Sequence, residues 1–548
     1  MQPRACRLGL AILLVVLVAL AAACGQPAAP PTTPAPAPPA EPSKHGGSVF
    51  FHIPGEVTSL SHIHIADTVS GAVHTWTRER LFQRHPVTGD WDPQLATGWH
   101  SSQDGLVWTF DLRQGVKWHD GHPFTAADVV FTAELIQNEE TASIWRNNLH
   151  IGGKPIKFEA VGDYQVRVTL SEPFAPLFAN LMCLAPQPKH ILENIPPKDV
   201  AKSQFAHSPI LTGPFKFAEY KPGEYIRLVR FEDYWDGAPY LDEVILRIIP
   251  DANAALIALE TGQIDFISTT NPADFVRAKE LGTLETVQFP GGNTQMLCLN
   301  NEVWPFTELN VRKAISHLVD RETICNHVMR GLARPAWCPM TPTYLFFNED
   351  AQVKYEFSID KAKALLADAG FTPGSDGILQ KDGKKLEFEM WYRSGSDVDE
   401  QALLIIQSAM EKAGIKMMIR SYEWSVMVKA VTEQVSPLKF EAMRMGHSMG
   451  PDPDLLSLIY DITVPGAYVR MQSPVIHELF AKGRVEMDPD KRRVIYEDLQ
   501  RAWGEEAGSA WLYHRDGLYI FGRRLGVDEA IVSPYAFFRY PGKLYVKQ

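Results

Sequence analysis

At 548 residues the chain is longer than one hydrophobic core fills, so two or more lobes are expected. Its composition, 45% hydrophobic and 22% charged, is ordinary for a folded protein. A formal net charge of −12 argues against a nucleic-acid partner, which needs a basic patch.

Arg4 and Arg7 precede an apolar run, Leu8 to Ala23, of 16 residues. A helix needs about 20 residues to cross the hydrocarbon core, so the run reads as a secretory signal. It ends in Ala21-Ala22-Ala23-Cys24, which resembles a lipobox; Leu20 stands one position earlier than the usual Leu. A cleaved signal with an incidental Cys is the alternative. Cleavage leaves 51 basic and 65 acidic residues, a net of −14. Eight prolines between Pro27 and Pro42 deny backbone donors and favour extended polyproline structure, a semi-rigid tether.

The folded part begins near Gly46 with a β-rich run, Ser48 to Ile53. Trp108, Phe110 and Leu112 alternate with polar residues, as do Val166, Val168 and Leu170, the period of half-buried strands. Glu243 to Pro250 reads as a buried strand. Thr125 caps a predicted helix over 126–136. Ser358 opens a helix that Gly370 ends, and 398–413 is a further helix followed by Gly414. This mixture indicates an α/β protein of interleaved lobes.

Four cysteines remain in the folded part: Cys183, Cys298, Cys325 and Cys338. They form no CxxC pair. Cys325 and Cys338 could be bridged in an exported protein; four free buried thiols fit the sequence equally. No GxSxG, P-loop, GxGxxG or HExxH motif is present. His62 and His64 would share one face of a strand and could meet a metal, but polar loop residues are the plainer reading; no metal site and no cofactor are expected. Asp452-Pro453-Asp454 reads as a turn.

From Trp91 to Val130 the chain closely resembles the signature of the family 5 extracellular solute-binding proteins of ABC transporters, the dipeptide- and oligopeptide-binding proteins. It carries Pro93-x-Leu95-Ala96, Trp99, Asp104-Gly105, Leu112-Arg113-x-Gly115-Val116 and His119-Asp120-Gly121-x-Pro123-Phe124-Thr125-Ala126. Further blocks agree, among them Thr212-Gly213-Pro214-Phe215, Gly262-Gln263-Ile264-Asp265, Val311-Arg312-Lys313-Ala314 and Asp320-Arg321. The signature itself is mostly turn residues and core aromatics, so it does not mark the ligand.

The resemblance implies an α/β fold of the periplasmic-binding-protein type II kind: two hinged lobes that close on a ligand, plus a third smaller lobe. The implied division is residues 1–24 for the lipoprotein signal and 25–46 for the tether. Lobe I takes 47–78, 206–293 and 515–548, lobe II takes 79–205, and lobe III takes 294–514. The implied function is capture of a peptide or peptide-like solute for an ABC permease by a monomer outside the cytoplasm, lipid-anchored at Cys24, with no bond chemistry.

Carried over residue by residue, the resemblance implies ligand contacts at Trp424, Arg444, Trp511 and Tyr513, and at Trp145 and Asn148 on the second lobe. It extends to His447, Ser448 and Met449, where the family's Gly-Trp and ammonium-binding Asp are replaced. An ammonium buried without a counter-charge is costly. The missing Asp therefore opens the alternative of an oligosaccharide, opine or metal chelate. An exported hydrolase or chaperone on the same scaffold is the alternative from another class.

Overall fold

The computed structural model describes residues 44–65, 67–85, 90–432, 436–464, 467–526 and 540–547. The signal, Cys24 and all but the end of the tether lie outside the described residues. Strand β1 (Ser48–Ile53) buries every second side chain, as its alternation predicts. A four-stranded antiparallel sheet follows, built from β2 (Ala96–Ser101), β3 (Val107–Leu112), β4 (Lys157–Ala160) and β5 (Gln165–Thr169) in the order β2-β3-β5-β4.

The remaining long strands form one large sheet with β1. They are β6 (Phe215–Lys221), β7 (Tyr225–Arg230), β8 (Glu243–Ile248), β9 (Phe266–Thr269), β10 (Leu284–Leu299), β11 (Glu387–Arg393), β12 (Lys416–Tyr422), β13 (Ala442–Ser448) and β14 (Ser509–Gly522). Their order is β6-β7-β8-β1-β9-β14-β10-β13-β11-β12, and a short strand, Ala333–Pro335, adds to β14. Pairing is mixed: β1 runs parallel to β8 and β9, and β11 parallel to β12 and β13, whereas β10 is antiparallel to both neighbours.

Buried side chains gather into separate cores. Val49, Trp76, Phe215, Leu246 and Phe521 pack on the β1 end of the large sheet. Phe110, Trp118, Phe124, Val166 and Leu184 pack on the four-stranded sheet. At the β13 end, Leu297, Phe388, Leu403 and Leu512 fill one face, and Met296, Met443, Tyr460, Trp503 and Trp511 the other. β10 and β14 contribute to cores at both ends. Their pairing runs from Leu284↔Gly522 to Cys298↔Ser509, with register shifts between Phe289 and Asn293 and between Gln295 and Met296. At the first shift the backbones close up: a Cβ on Gly291 would sit 2.2 Å from the Arg515 carbonyl oxygen, and one on Gly517 2.0 Å from the Phe289 ring.

Helices begin where the sequence places their caps. α1 (Thr68–Thr77) starts at Asp67, whose carboxylate accepts from Ser70 N. α2 (Ala126–Gln137) starts at Thr125, whose N–H donates to Asp128 Oδ2 at 2.9 Å, half of a capping box. α3 (Pro272–Leu281) follows the cap Asn271. α4 (Ile359–Asp368) follows Ser358, and Gly370 after it takes φ +87°. α5 (Asp397–Lys412) is capped by Ser396 and followed by Gly414 at φ +83°, and α6 spans Trp424–Thr432.

All four cysteines of the described chain are free and buried, so Cys325 and Cys338 are not bridged. His62 and His64 lie on a 3-10 turn, and each ring gives Nε2 to a backbone carbonyl, that of Cys183 at 3.0 Å and that of Thr141 at 2.9 Å.

Burial drives several imidazoles toward the neutral form. His119 is held down at about 4, and His447 and His514 at about 3; His62 and His74 are likewise well below their ordinary value. Each takes up a proton on unfolding below pH 6.5, so each depressed value removes stability as pH falls from about 6.5, by about 1.4 kcal/mol per pH unit per net proton. Buried Glu79, raised to about 8, and Asp454, raised to about 6, act oppositely and are fewer. Urea unfolding between pH 6.5 and 5 is therefore expected to show a falling midpoint with net proton uptake. A flat or rising profile would contradict the neutral burial of these rings.

Candidate functional site

A cavity of about 460 Å³ opens where β13, β10 and β14 lie side by side under the N-terminus of α5. The register sets its floor. Gln295 of β10 stands opposite Gly446 of β13 and Tyr513 of β14, and Asn293 stands opposite Arg515. Ser396, Asp397 and Asp399 from the start of α5 overhang it, Trp424 at the start of α6 lines it, and Thr270 to Ala273, joining β9 to α3, approach from the β1 end of the sheet. Segments that belong to different cores thus face one space.

Arg444 is the most constrained group here. Its side chain is 1% exposed; Nη2 lies 3.0 Å from Asp399 Oδ1 and donates to Tyr513 Oη at 3.0 Å, and Nη1 donates to the Met445 carbonyl at 2.7 Å. Nε alone is buried without a partner. Burial works against the charge, but Asp399 and Tyr513 outweigh it and hold Arg444 above its ordinary value. Its charge is therefore already matched within the protein.

Arg515 differs. It also lines the cavity, is half-buried, and meets no carboxylate among the described residues. Burial pushes it below its ordinary value, Tyr513 and the more distant Asp399 partly offset this, and Arg444 and Arg393 add like-charge repulsion. Arg330 and Arg393 line the rim. Four guanidiniums thus face two carboxylates, one of which Arg444 already engages. Trp424, 49% exposed, offers an aromatic face beside them.

Of the residues the sequence singles out, the structure brings Trp424, Arg444 and Tyr513 to this cavity and leaves the others elsewhere. His447 is buried under the sheet, 3.0 Å from Tyr460 Oη. Trp511 is 2% exposed in the same core and donates Nε1–H to Tyr460 Oη at 3.4 Å. Ser448 donates to the Gly292 carbonyl and Met449 packs on that core. Trp145 stacks on His62 and donates to its carbonyl at 3.2 Å, and the Asn148 carbonyl accepts from Asn180. Asp452 holds Arg492 through two bonds of 2.7 and 2.8 Å and caps the turn after it, as the Asp-Pro-Asp pattern predicts.

Arg515, Asp399 and Gln295 carry no signal in the sequence that sets them apart. Their meeting depends on strand register and on the seating of a helix from a distant part of the chain. Asp120, His122 and His190 also gather, with one ligand atom each within 4.8 Å of one another. The two rings stack at 4.0 Å and each lies against its own oxygen of Asp120, at 3.3 and 2.7 Å, rather than around a common centre.

The model of the bacterial extracellular solute-binding proteins, family 5 Middle, matches residues 90–463. The oligopeptide-binding protein AppA of Bacillus subtilis is 33% identical over 429 residues, 77% of either chain. Its structure in complex with a nonapeptide has a TM-score of 0.77 at 29% identity, covering 92% of this chain and 99% of that one. The ABC transporter substrate-binding protein CtaP of Listeria monocytogenes gives a TM-score of 0.83 at 29% identity, covering 92% of this chain and all of that one. Heme-binding protein A of Haemophilus influenzae is 30% identical over 373 residues, 63% of this chain and 64% of its own.

The geometry separates two kinds of contribution. Arg444→Ala removes the buried partner of Asp399 and of Tyr513 Oη and is expected to cost on the order of 3 kcal/mol of stability. Trp424→Ala, at a half-exposed position, is expected to leave stability within about 0.5 kcal/mol of the parent. Denaturant titration of both variants checks this, and equal losses would show that Arg444 is not the structural member of the pair.

Proposed function

Because the chain belongs to the bacterial extracellular solute-binding proteins, family 5, which are transport binding proteins and not enzymes, we propose that it captures a peptide or peptide-like acid in the cavity between β10, β13, β14 and the β9–α3 turn, and delivers it to an ABC permease. The one observation that carries this reading is the cavity itself, which is lined by segments of separate cores and is rich in polar and guanidinium groups. Contacts to both sides favour a closed form, so a ligand there shifts the population toward it. The bulged stretch of β10 opposite Arg515 to Gly517 is a natural place for that bending. Lobe I then carries β1 and its neighbours, lobe II the four-stranded sheet, and lobe III the β11–β13 end.

In this reading Arg515 meets the ligand's carboxylate. A guanidinium donates two parallel N–H groups to one carboxylate, and a free anion relieves the charge that burial and Arg444 disfavour. Arg444 and Asp399 position Tyr513, and Trp424 packs on a ligand side chain. A second reading, a non-peptide acid such as an opine or a metal chelate, is favoured by one observation. Asp452 is consumed by Arg492, and Met449 packs into a core, so the implied ammonium acceptor is missing from that segment. The protein acts as a monomer outside the cytoplasm, anchored through lipid on Cys24.

Mass spectrometry of ligand released from the purified whole chain is expected to find a small carboxylic acid, with a free α-amine in the first reading and without one in the second. Arg515→Gln is expected to weaken its binding about ten- to a hundredfold. A ligand with no acidic group, or unchanged affinity in the variant, would overturn the proposal. Cys24→Ser is expected to release the protein from the membrane fraction; retention there would remove the lipid anchor.

A further inference from the structure

A second cavity, of about 320 Å³, shares no lining residue with the first. Arg78, Glu79, Arg80 and Arg84 line it, with His74 at its wall. Arg78 and Arg80 flank the C-terminal end of α1, and the chain folds back over them through Gln94, whose Oε1 accepts from Arg80 N at 2.8 Å. His62 Nε2–H is spent on the Cys183 carbonyl, so His62 Nδ1, 3.1 Å away, accepts from Arg78 Nη1. That neutral ring is the sole hydrogen-bond partner of the Arg78 side chain among the described residues. The Arg80 side chain has none among them, and its Nε is buried and unpartnered.

Two guanidiniums bring ten N–H donors, and here one is used. Neither meets a carboxylate among the described residues. Glu79, adjacent to both in sequence, turns away: its carboxyl accepts from Tyr234 Oη at 2.9 Å and from Trp235 Nε1 at 2.8 Å. Burial disfavours the charged form of both arginines, and Arg80 adds repulsion on Arg78. A guanidinium does not give up its proton, so that penalty falls on the fold until an anion arrives. In a chain of net charge −12 this pair of half-buried cations, with no carboxylate partner among the described residues, is not a diffuse basic surface.

We infer that the Arg78–Arg80 cavity is an oxyanion site, taking the carboxylate or phosphate group of a small molecule between two guanidiniums, independently of the first cavity. Forked N–H pairs match the oxygens of such a group, and the Glu79 carboxyl that also lines the cavity is engaged by Tyr234 and Trp235 and pushed by burial toward its uncharged form.

The test uses the whole chain with inorganic phosphate and with acetate, each against chloride at matched ionic strength. Either oxyanion is expected to raise the thermal midpoint by at least about 1 °C at saturation, and the more effective one names the group. In titration calorimetry Arg78→Gln and Arg80→Gln each weaken that anion about tenfold or more, whereas Arg515→Gln retains the response. Arg80→Lys, which keeps the charge and loses the fork, falls between and serves if the glutamine variants do not fold. No anion-specific shift in the parent overturns the site, as does a shift that survives both Arg78→Gln and Arg80→Gln. A shift abolished by Arg515→Gln alone would place the anion in the first cavity and leave the Arg78–Arg80 assignment refuted.

Discussion

The pairing of β10 with β14 is the constraint on which the rest of the structure depends. Both strands are long enough to serve cores at each end of the large sheet, and their ladder is the seam along which those cores are joined. The ladder is continuous at its ends and irregular at two places between. One irregularity brings bare backbone against backbone at Gly291, where any side chain would collide with the Arg515 carbonyl. The same stretch borders the first cavity, so the site lies where the sheet is least regular.

Charge placement follows from that seam. The chain is acidic overall, yet several guanidiniums line both the first cavity and the Arg78–Arg80 cavity. Arg444 and Arg492 are matched internally, by Asp399 and Asp452, and behave as structural ions. Arg515, Arg78 and Arg80 are half-buried without such partners among the described residues. A buried charge without a partner is costly, and that cost is tolerated where a ligand supplies the missing charge. This distinction, more than residue type, separates the arginines proposed to bind from the architectural ones.

Much of the local structure was legible from the chain. The alternation in Ser48–Ile53 and in Val107–Leu112, the caps Thr125 and Ser358, and the glycines at 370 and 414 each form the predicted element because their causes lie within a few residues. Trp511 and Tyr513 show where such reasoning stops. Two residues apart on one strand, they should share a face. The register shift between Gln295 and Met296 places Gln295 opposite Tyr513 and Met296 opposite Trp511. Tyr513 therefore faces the cavity while Trp511 is buried beneath the sheet. His447 and Arg444, three positions apart in an unbroken ladder, lie on opposite faces of β13 by ordinary alternation.

The sequence by itself determined the family, through long runs of turn residues and core aromatics whose spacing is a local matter. It also determined the mixed α/β character, most caps, and a strongly apolar first segment ending at Cys24. Tertiary structure alone decided which arginines are free. Arg444 is neutralised by an aspartate 45 positions earlier, whereas Arg78 and Arg80 sit beside a glutamate that turns to Tyr234 and Trp235 instead. Electrostatic energy depends on distance and burial in space, and neither is encoded in the order of neighbouring residues.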